Sequence, residues 1–242
     1  RTVASNVGGI REIVENEVNG YTVKNDAQEF ASKIHYILEN KKLKVTIANI
    51  GAELISVYDK ENAVERMWDA NPTVWNRHAP ILFPFVGKLT NNQYHYKEQE
   101  YYINTQHGFA RDMEFVCICS NQQSVTHCLK ANQTTKEIYP FSFELYVTHS
   151  LDPKNERLLN IQWEIKNVGS EKMYYSIGGH PGFRTPLKTE ETREDYYLEI
   201  PNKKELEYLL LNPTTGFAVA DKKFTLTLEN GFCPIEKNMF DK

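Results

Sequence analysis

Cysteine is scarce in this chain: Cys117, Cys119, Cys128 and Cys233 are the only four in 242 residues. Four at irregular spacing make no disulfide framework, and Cys-x-Cys does not match the usual zinc spacings. The plain reading is reduced cysteines buried in strands of a cytoplasmic protein. No run of about 18 apolar residues occurs, so no helix is expected to span a membrane. Nor is there a basic excess. The 28 Lys and Arg are interspersed with 32 Asp and Glu, a net charge of -4, which gives no field to hold nucleic acid or an anionic membrane, and neither partner is expected. An initiator methionine is also missing. The chain opens on Arg1-Thr2-Val3-Ala4-Ser5, in the middle of what reads as a motif, so the lack of a signal peptide carries little weight.

What the chain does have is apolar mass. Hydrophobic residues make up 40% and aromatics 12%, enough for one large core or two modest ones.

Two kinds of pattern divide it. Val3 to Leu38 runs from a Gly-rich turn, Asn6-Val7-Gly8-Gly9-Ile10, through Gly20-Tyr21-Thr22-Val23 to an amphipathic stretch. In that stretch Ala27, Phe30, Ala31, Ile34 and Ile37 or Leu38 fall at helical spacing behind Asp26 as N-cap, so a helix is expected over Ala27–Leu38. The string Val3-Ala4-Ser5-Asn6-Val7-Gly8-Gly9-Ile10-Arg11-Glu12-Ile13-Val14, followed by Asn19-Gly20-Tyr21, resembles the nucleotide-sugar-binding half of retaining GT-B glycosyltransferases of family four. The acidic donor-site loop of that family would precede it and is not present.

From about Lys41 the period changes to two, with turn signals every 8 to 15 residues. In Leu159-Asn160-Ile161-Gln162-Trp163-Glu164-Ile165-Lys166 the apolar residues share one face and the polar residues the other. Phe141 to Thr148 alternates likewise, and Asp152-Pro153-Lys154-Asn155-Glu156 supplies the turn between them. Further strands are expected at Lys44–Ile47, Ala52–Asp59, Tyr94–Ile103, Glu114–Cys119, Val125–Ala131, Met173–Ile177, Tyr196–Ile200 and Phe224–Leu228. The fold class is therefore all-β, a large antiparallel sandwich preceded by a short α/β fragment. The boundary is set at 1–36 and 37–242, with Ile37-Leu38-Glu39-Asn40 fitting either side. One Gly-rich turn and one helix cannot form a sheet-backed domain alone, so residues 1–36 read as a fused or artefactual fragment.

Three motifs in the second part carry chemistry: Trp75-Asn76-Arg77-His78-Ala79-Pro80-Ile81-Leu82-Phe83-Pro84-Phe85-Val86-Gly87-Lys88-Leu89; Gln106-His107-Gly108-Phe109-Ala110-Arg111-Asp112; and Tyr175-Ser176-Ile177-Gly178-Gly179-His180-Pro181-Gly182-Phe183. In the last, a strand running into Gly-Gly puts His180 where backbone can approach a ligand, and Pro181 fixes the exit. Together the three resemble the aldose 1-epimerase (galactose mutarotase)-like family, particularly its shorter bacterial branch.

That resemblance implies a galactose mutarotase-like sandwich that binds a sugar and exchanges its α and β anomers. The reaction needs one group to protonate the ring oxygen and another to deprotonate the anomeric hydroxyl. By resemblance His180 is the general acid, and His107, Arg111 and Lys88 contact substrate, Lys88 standing where the family usually has arginine. Lysine keeps the charge and loses the planar fork. No cofactor and no metal are implied; a His78, His107 and His180 metal site is conceivable but lacks an acidic or thiolate partner. The ligand is a small sugar or sugar phosphate, since Arg111 with Lys88 suits phosphate as well as hydroxyls. His127 and His149 in strands, His95 in a polar hairpin and His35 on the helix are assigned structural or solvent-facing places.

The family's base is a glutamate near its C-terminus in an Ile-Glu-Pro-like segment. Pro234-Ile235-Glu236 does not fit that place, so the base and about 80 to 90 residues of the sandwich are expected beyond Lys242. Two alternatives stay open: a sugar-binding sandwich without turnover, and glycosyl transfer, carried by residues 1–38 alone. Oligomeric state is left open by the sequence.

Overall fold

The computed structural model describes residues 2–5, 20–23, 35–237 and 239. The Gly-rich turn at 6–10 and the stretch expected to be helical over Ala27–Ile34 lie outside the described residues. Strands dominate: β1 (Thr2–Ser5), β2 (Gly20–Val23), β3 (His35–Glu39), β4 (Leu43–Ala48), β5 (Leu54–Asp59), β6 (Val64–Glu65), β7 (Ile81–Leu82), β8 (Gln93–Tyr96), β9 (Gln99–Tyr102), β10 (Val116–Ser120), β11 (Ser124–Lys130), β12 (Phe143–Leu151), β13 (Leu159–Asn167), β14 (Gly178–Gly179), β15 (Tyr197–Glu199), β16 (Glu205–Leu211), β17 (Ala218–Thr227) and β18 (Phe232–Pro234). Among the described residues one short α-helix, α1 (Gln133–Ile138), opens with a capping box between Asn132 and Thr135. The chain is all-β and divides into two compact units, Arg1–Gly182 and Phe183–Lys242.

In the first unit β3-β4-β5-β6 and β10-β11-β12-β13 form two antiparallel sheets. They are layered, because Leu38, Val45 and Ile47 of the first pack with Val125 and Leu151 of the second in one buried cluster. A second cluster, rich in aromatic rings, joins Phe83, Phe109, Phe115, Tyr139, Phe143 and Val147. The strand β12 explains both: Phe143, Leu145, Val147, His149 and Leu151 are all buried, and the residues between them are not. The turn to β13 is an Asx turn in which Asp152 Oδ1 accepts from the backbone N–H groups of Lys154 and Asn155. On β13, Leu159, Ile161, Trp163 and Ile165 stand opposite Leu151, His149, Val147 and Leu145 on one face, where Leu159, Trp163 and Ile165 pack against the buried clusters and Ile161 is exposed.

Two expectations are corrected. His35–Glu39 is a strand, β3, paired with β4 through His35↔Ala48 to Glu39↔Lys44, so the helix does not run to Leu38. Tyr36 and Leu38 turn inward while His35 and Ile37 are exposed, a period of two that cross-strand pairing enforces over local helical spacing. Met173–Ile177 carries no ladder, and the Ser176 N–H goes instead to Pro84 O. His127 and His149 are structural as expected, but they are core residues, at 0% and 2% exposure.

At the N-terminal end β1 and β2 pair in parallel. In the second unit β15 pairs with β18 and β16 with β17, all antiparallel. Among the described residues no helix is long and apolar enough to cross a membrane.

Candidate active site

The segment around β7 is the frame of the site. β7 pairs with β14 through Ile81↔Gly179 and Leu82↔Gly178, bringing the first and third motifs side by side. The second motif joins by backbone contact: the N–H groups of Phe109 and Ala110 both reach Phe83 O, at 3.0 and 3.2 Å. Gly108 makes this approach feasible. Its φ is +73°, and a Cβ there would stand 2.1 Å from Phe83 O.

His107 is clamped twice to the loop before Lys88. Its N–H donates to Gly87 O at 2.7 Å, and its Nδ1 accepts from Gly87 N–H at 3.0 Å. An Nδ1 that accepts carries no proton, so the neutral ring holds its proton on Nε2, free to donate outward. Burial, then the nearby Arg111 charge, then His180, hold the imidazole pKa below its ordinary value. The residue itself sits at φ +68°, a left-handed backbone that costs about 1 kcal/mol for a non-glycine residue.

His180 follows β14 directly and is exposed. Its N–H is held by Pro80 O at 3.1 Å. Its ring centroid lies 6.0 Å from that of His107 and 5.0 Å from that of Trp75. Two imidazoles from distant motifs and one indole therefore share a space that one pyranose ring can bridge.

Arg111 is largely buried, its side chain 11% exposed, and its Nε has no hydrogen-bond partner. The nearest carboxylate, Asp112, is 3.6 Å from that Nε and is bound more closely, at 2.6 Å, by Arg77. Burial and Arg77 oppose the Arg111 charge, while Asp112 and Glu53 support it. A buried cation with an unmet donor is suited to polar or anionic ligand oxygens. Lys88 comes one residue after Gly87; it is exposed and, among the described residues, in no ion pair.

His107, His180 and the charge of Arg111 are thus brought together, with Lys88 adjacent in backbone and its side chain in solvent. Trp75 and Glu53 were not assigned roles from sequence. Trp75 had a usable signal, an aromatic at the head of a chemistry-bearing motif. Glu53 had none, because its partners are His78 and Ala79, 25 and 26 residues away. Among the described residues no group of three or more His, Cys, Asp or Glu is arranged to hold a metal.

Comparison with known proteins identifies the family of the chain. The family model for aldose 1-epimerase matches residues 35–232, and the chain belongs to the aldose 1-epimerase family. A model for glycosyl transferases group 1 matches residues 2–54. Protein LacX (plasmid) of Lactococcus lactis subsp. lactis is 38% identical over 184 residues, covering 74% of this chain and 60% of LacX. A galactose mutarotase related enzyme from Lactobacillus acidophilus superposes with a TM-score of 0.77 at 35% identity, over 86% of this chain and 67% of that one. A galactose mutarotase-like protein from Lactobacillus casei ATCC 334 does so with 0.66 at 31% identity, over 82% and 70%. The chain spans about 60% of the length of the curated relatives it matches.

Proposed function

We propose that the site serves exchange of the α and β anomers of an aldose or aldose phosphate by general acid–base ring opening, with no cofactor. The observation that carries this reading is the 6.0 Å approach of His107 and His180 beside Trp75. His180, exposed at the end of β14, is the acid: it gives a proton to the ring oxygen as the C1–O5 bond opens. His107 donates from Nε2 to a sugar hydroxyl. Arg111 contributes its unmet Nε–H, Lys88 a mobile charge at the rim, and Trp75 a flat wall for a C–H face. After rotation about C1–C2 the ring recloses on the other face of the carbonyl. In this reading the base lies in the part of the relatives' length that the chain does not match. In this reading the epimerase-like sandwich begins with β3 at His35 rather than at residue 37, and the residues before it take no part in the site.

Polarimetry on freshly dissolved α-D-glucose or α-D-galactose tests this. The 242 residues should bind sugar weakly and accelerate mutarotation little. A chain extended by the C-terminal part of its relatives should be active, and H180A should lose about 10²- to 10⁴-fold of that activity. Full activity from the 242 residues alone would place the base within them. A second reading, sugar binding without turnover, is favoured by the unpaired, exposed Lys88 where the family usually has arginine. It predicts an inert extended chain that still takes up sugar.

A further inference from the structure

Glu53 lies outside the three motifs, at the exit of the turn from β4 to β5, and is half-buried. Its Oε1 accepts from two consecutive backbone N–H groups, His78 at 2.7 Å and Ala79 at 2.9 Å. Hydrogen bonds to a carboxylate are the strong kind, and two on one oxygen fix the orientation of both peptide planes.

One of these planes reaches the third motif. The peptide that gives Ala79 N–H to Glu53 has His78 C=O as its other end, and that oxygen accepts from Gly182 N–H at 2.7 Å. Each bond polarises the next in such a row. Two residues on, Pro80 O accepts the N–H of His180 at 3.1 Å. The carboxylate therefore governs the backbone on both sides of Pro181. Gly182 O continues to Trp68 N–H at 3.0 Å, and the Trp68 indole N–H to Trp75 O at 2.8 Å, so the indole wall hangs on the same row.

The turn that carries Glu53 is itself fixed. Ala48 N–H donates to Glu53 O and Gly51 N–H to Met113 O, both at 2.8 Å. Gly51, at φ +68°, lies so close to the second motif that a Cβ would come within 2.7 Å of Arg111 O. One turn thus touches the first and second motifs directly and the third through His78 O.

We propose that Glu53 is a positioning residue for His180, acting through the His78–Pro80 segment and touching neither the imidazole nor the sugar. This rests on the reading of His180 as the acid, and it names a group that the site needs in addition to its motifs.

The test uses the full chain with E53Q, E53D and E53A, followed by amide hydrogen exchange and by the imidazole resonances of His180. Gln keeps an acceptor for both N–H groups and loses the charge, whereas Ala loses both. In E53A the amides of His180 and Gly182 should exchange at least about tenfold faster, while Val45 and Val147 in the two cores keep their rates. The His180 ring resonances should move in E53A and be restored in E53Q, whose exchange rates stay within about threefold of the original. If E53A does not fold, E53D decides by the same readouts, because the shorter side chain cannot reach both N–H groups. Unchanged His180 and Gly182 amides would overturn the proposal, as would a uniform rise that includes the core amides. In the chain extended by the C-terminal part of its relatives, an H180A variant as active as its parent, with the exchange pattern intact, would count against the acid role of His180 and leave the positioning link standing.

Discussion

Lowering the pH from 7.5 to 5.0 should cost the first unit about 4 kcal/mol of stability, and two buried histidines are the reason. His127 and His149 lie on neighbouring strands, facing the core. Neither nitrogen of His127 and not the Nδ1 of His149 has a hydrogen-bond partner, and the Tyr36 ring meets that of His127 edge-on at 4.8 Å between centroids. Burial therefore pushes His127 from 6.5 down to about 4 and His149 to about 3, the second helped by the first. The folded state keeps both rings neutral, while the unfolded chain takes up protons as pH falls below 6.5. Stability from this source is complete above that value and is lost as pH falls toward the folded values. At about 1.36 kcal/mol per pH unit each ring costs about 2 kcal/mol at pH 5. Fully developed, the two losses come to about 3 and about 5 kcal/mol, as large as the stability of many domains. All three tryptophans, Trp68, Trp75 and Trp163, lie in this unit, so urea unfolding followed by their fluorescence reports on it. H127L/H149L should lose less than about 1 kcal/mol over the same interval. His107, also held low, contributes in both proteins and cancels from the comparison. Asp59 stays out of this window: Arg66 first and Asn62 next hold its carboxyl low in the folded state, and that stability is lost only as pH falls below the ordinary value of 3.8. Equal losses in the two proteins would refute the reasoning.

Three further outcomes are expected. G108A combines a φ of +73° with a Cβ 2.1 Å from Phe83 O and should destabilise by about 3 kcal/mol or more, seen as a lower melting temperature. D59N weakens a buried carboxylate held by Arg66 at 2.7 Å and Arg157 at 3.3 Å; with both guanidinium groups partly in solvent, the loss at pH 7 should be about 1–2 kcal/mol by urea titration, vanishing as pH falls through the depressed pKa of Asp59. G182A places a Cβ 2.9 Å from the Trp75 ring and 3.0 Å from Trp68 Cβ, and should weaken sugar affinity by about tenfold in a calorimetric titration by displacing the wall.

Much of this molecule is legible in local pattern, and what is not has a common cause. β12 and β13 are clear because each residue's face follows from its parity, and the same parity puts His127 and His149 inside. Phe141, just before β12, and Trp163, midway along β13, belong to the same packed cluster. The Gly-Gly before His180 lies where the backbone pairs with β7, whereas the close approach of Gly108 to Phe83 O depends on a segment distant in sequence. The helix expected through Leu38 fails because Ile34, Ile37 and Leu38 suit a helical stripe as well as a strand, and only β4, reached through the turn at 40–42, decides between them. Met173–Ile177 has strand composition, yet its Ser176 N–H is taken by Pro84 O, far away in sequence. Glu53 is the same case: its role is defined by bonds to a segment 25 residues on.

The central claim is that His107 and His180 face one sugar site, and histidine side-chain NMR during titration with D-galactose, D-glucose and their phosphates measures it directly. The ring resonances of His107 and His180 should move together with one affinity, while those of His127, His149 and His95 stay where they are. Sugar that saturates the protein while leaving both rings unmoved, or that moves His95 instead, would contradict it.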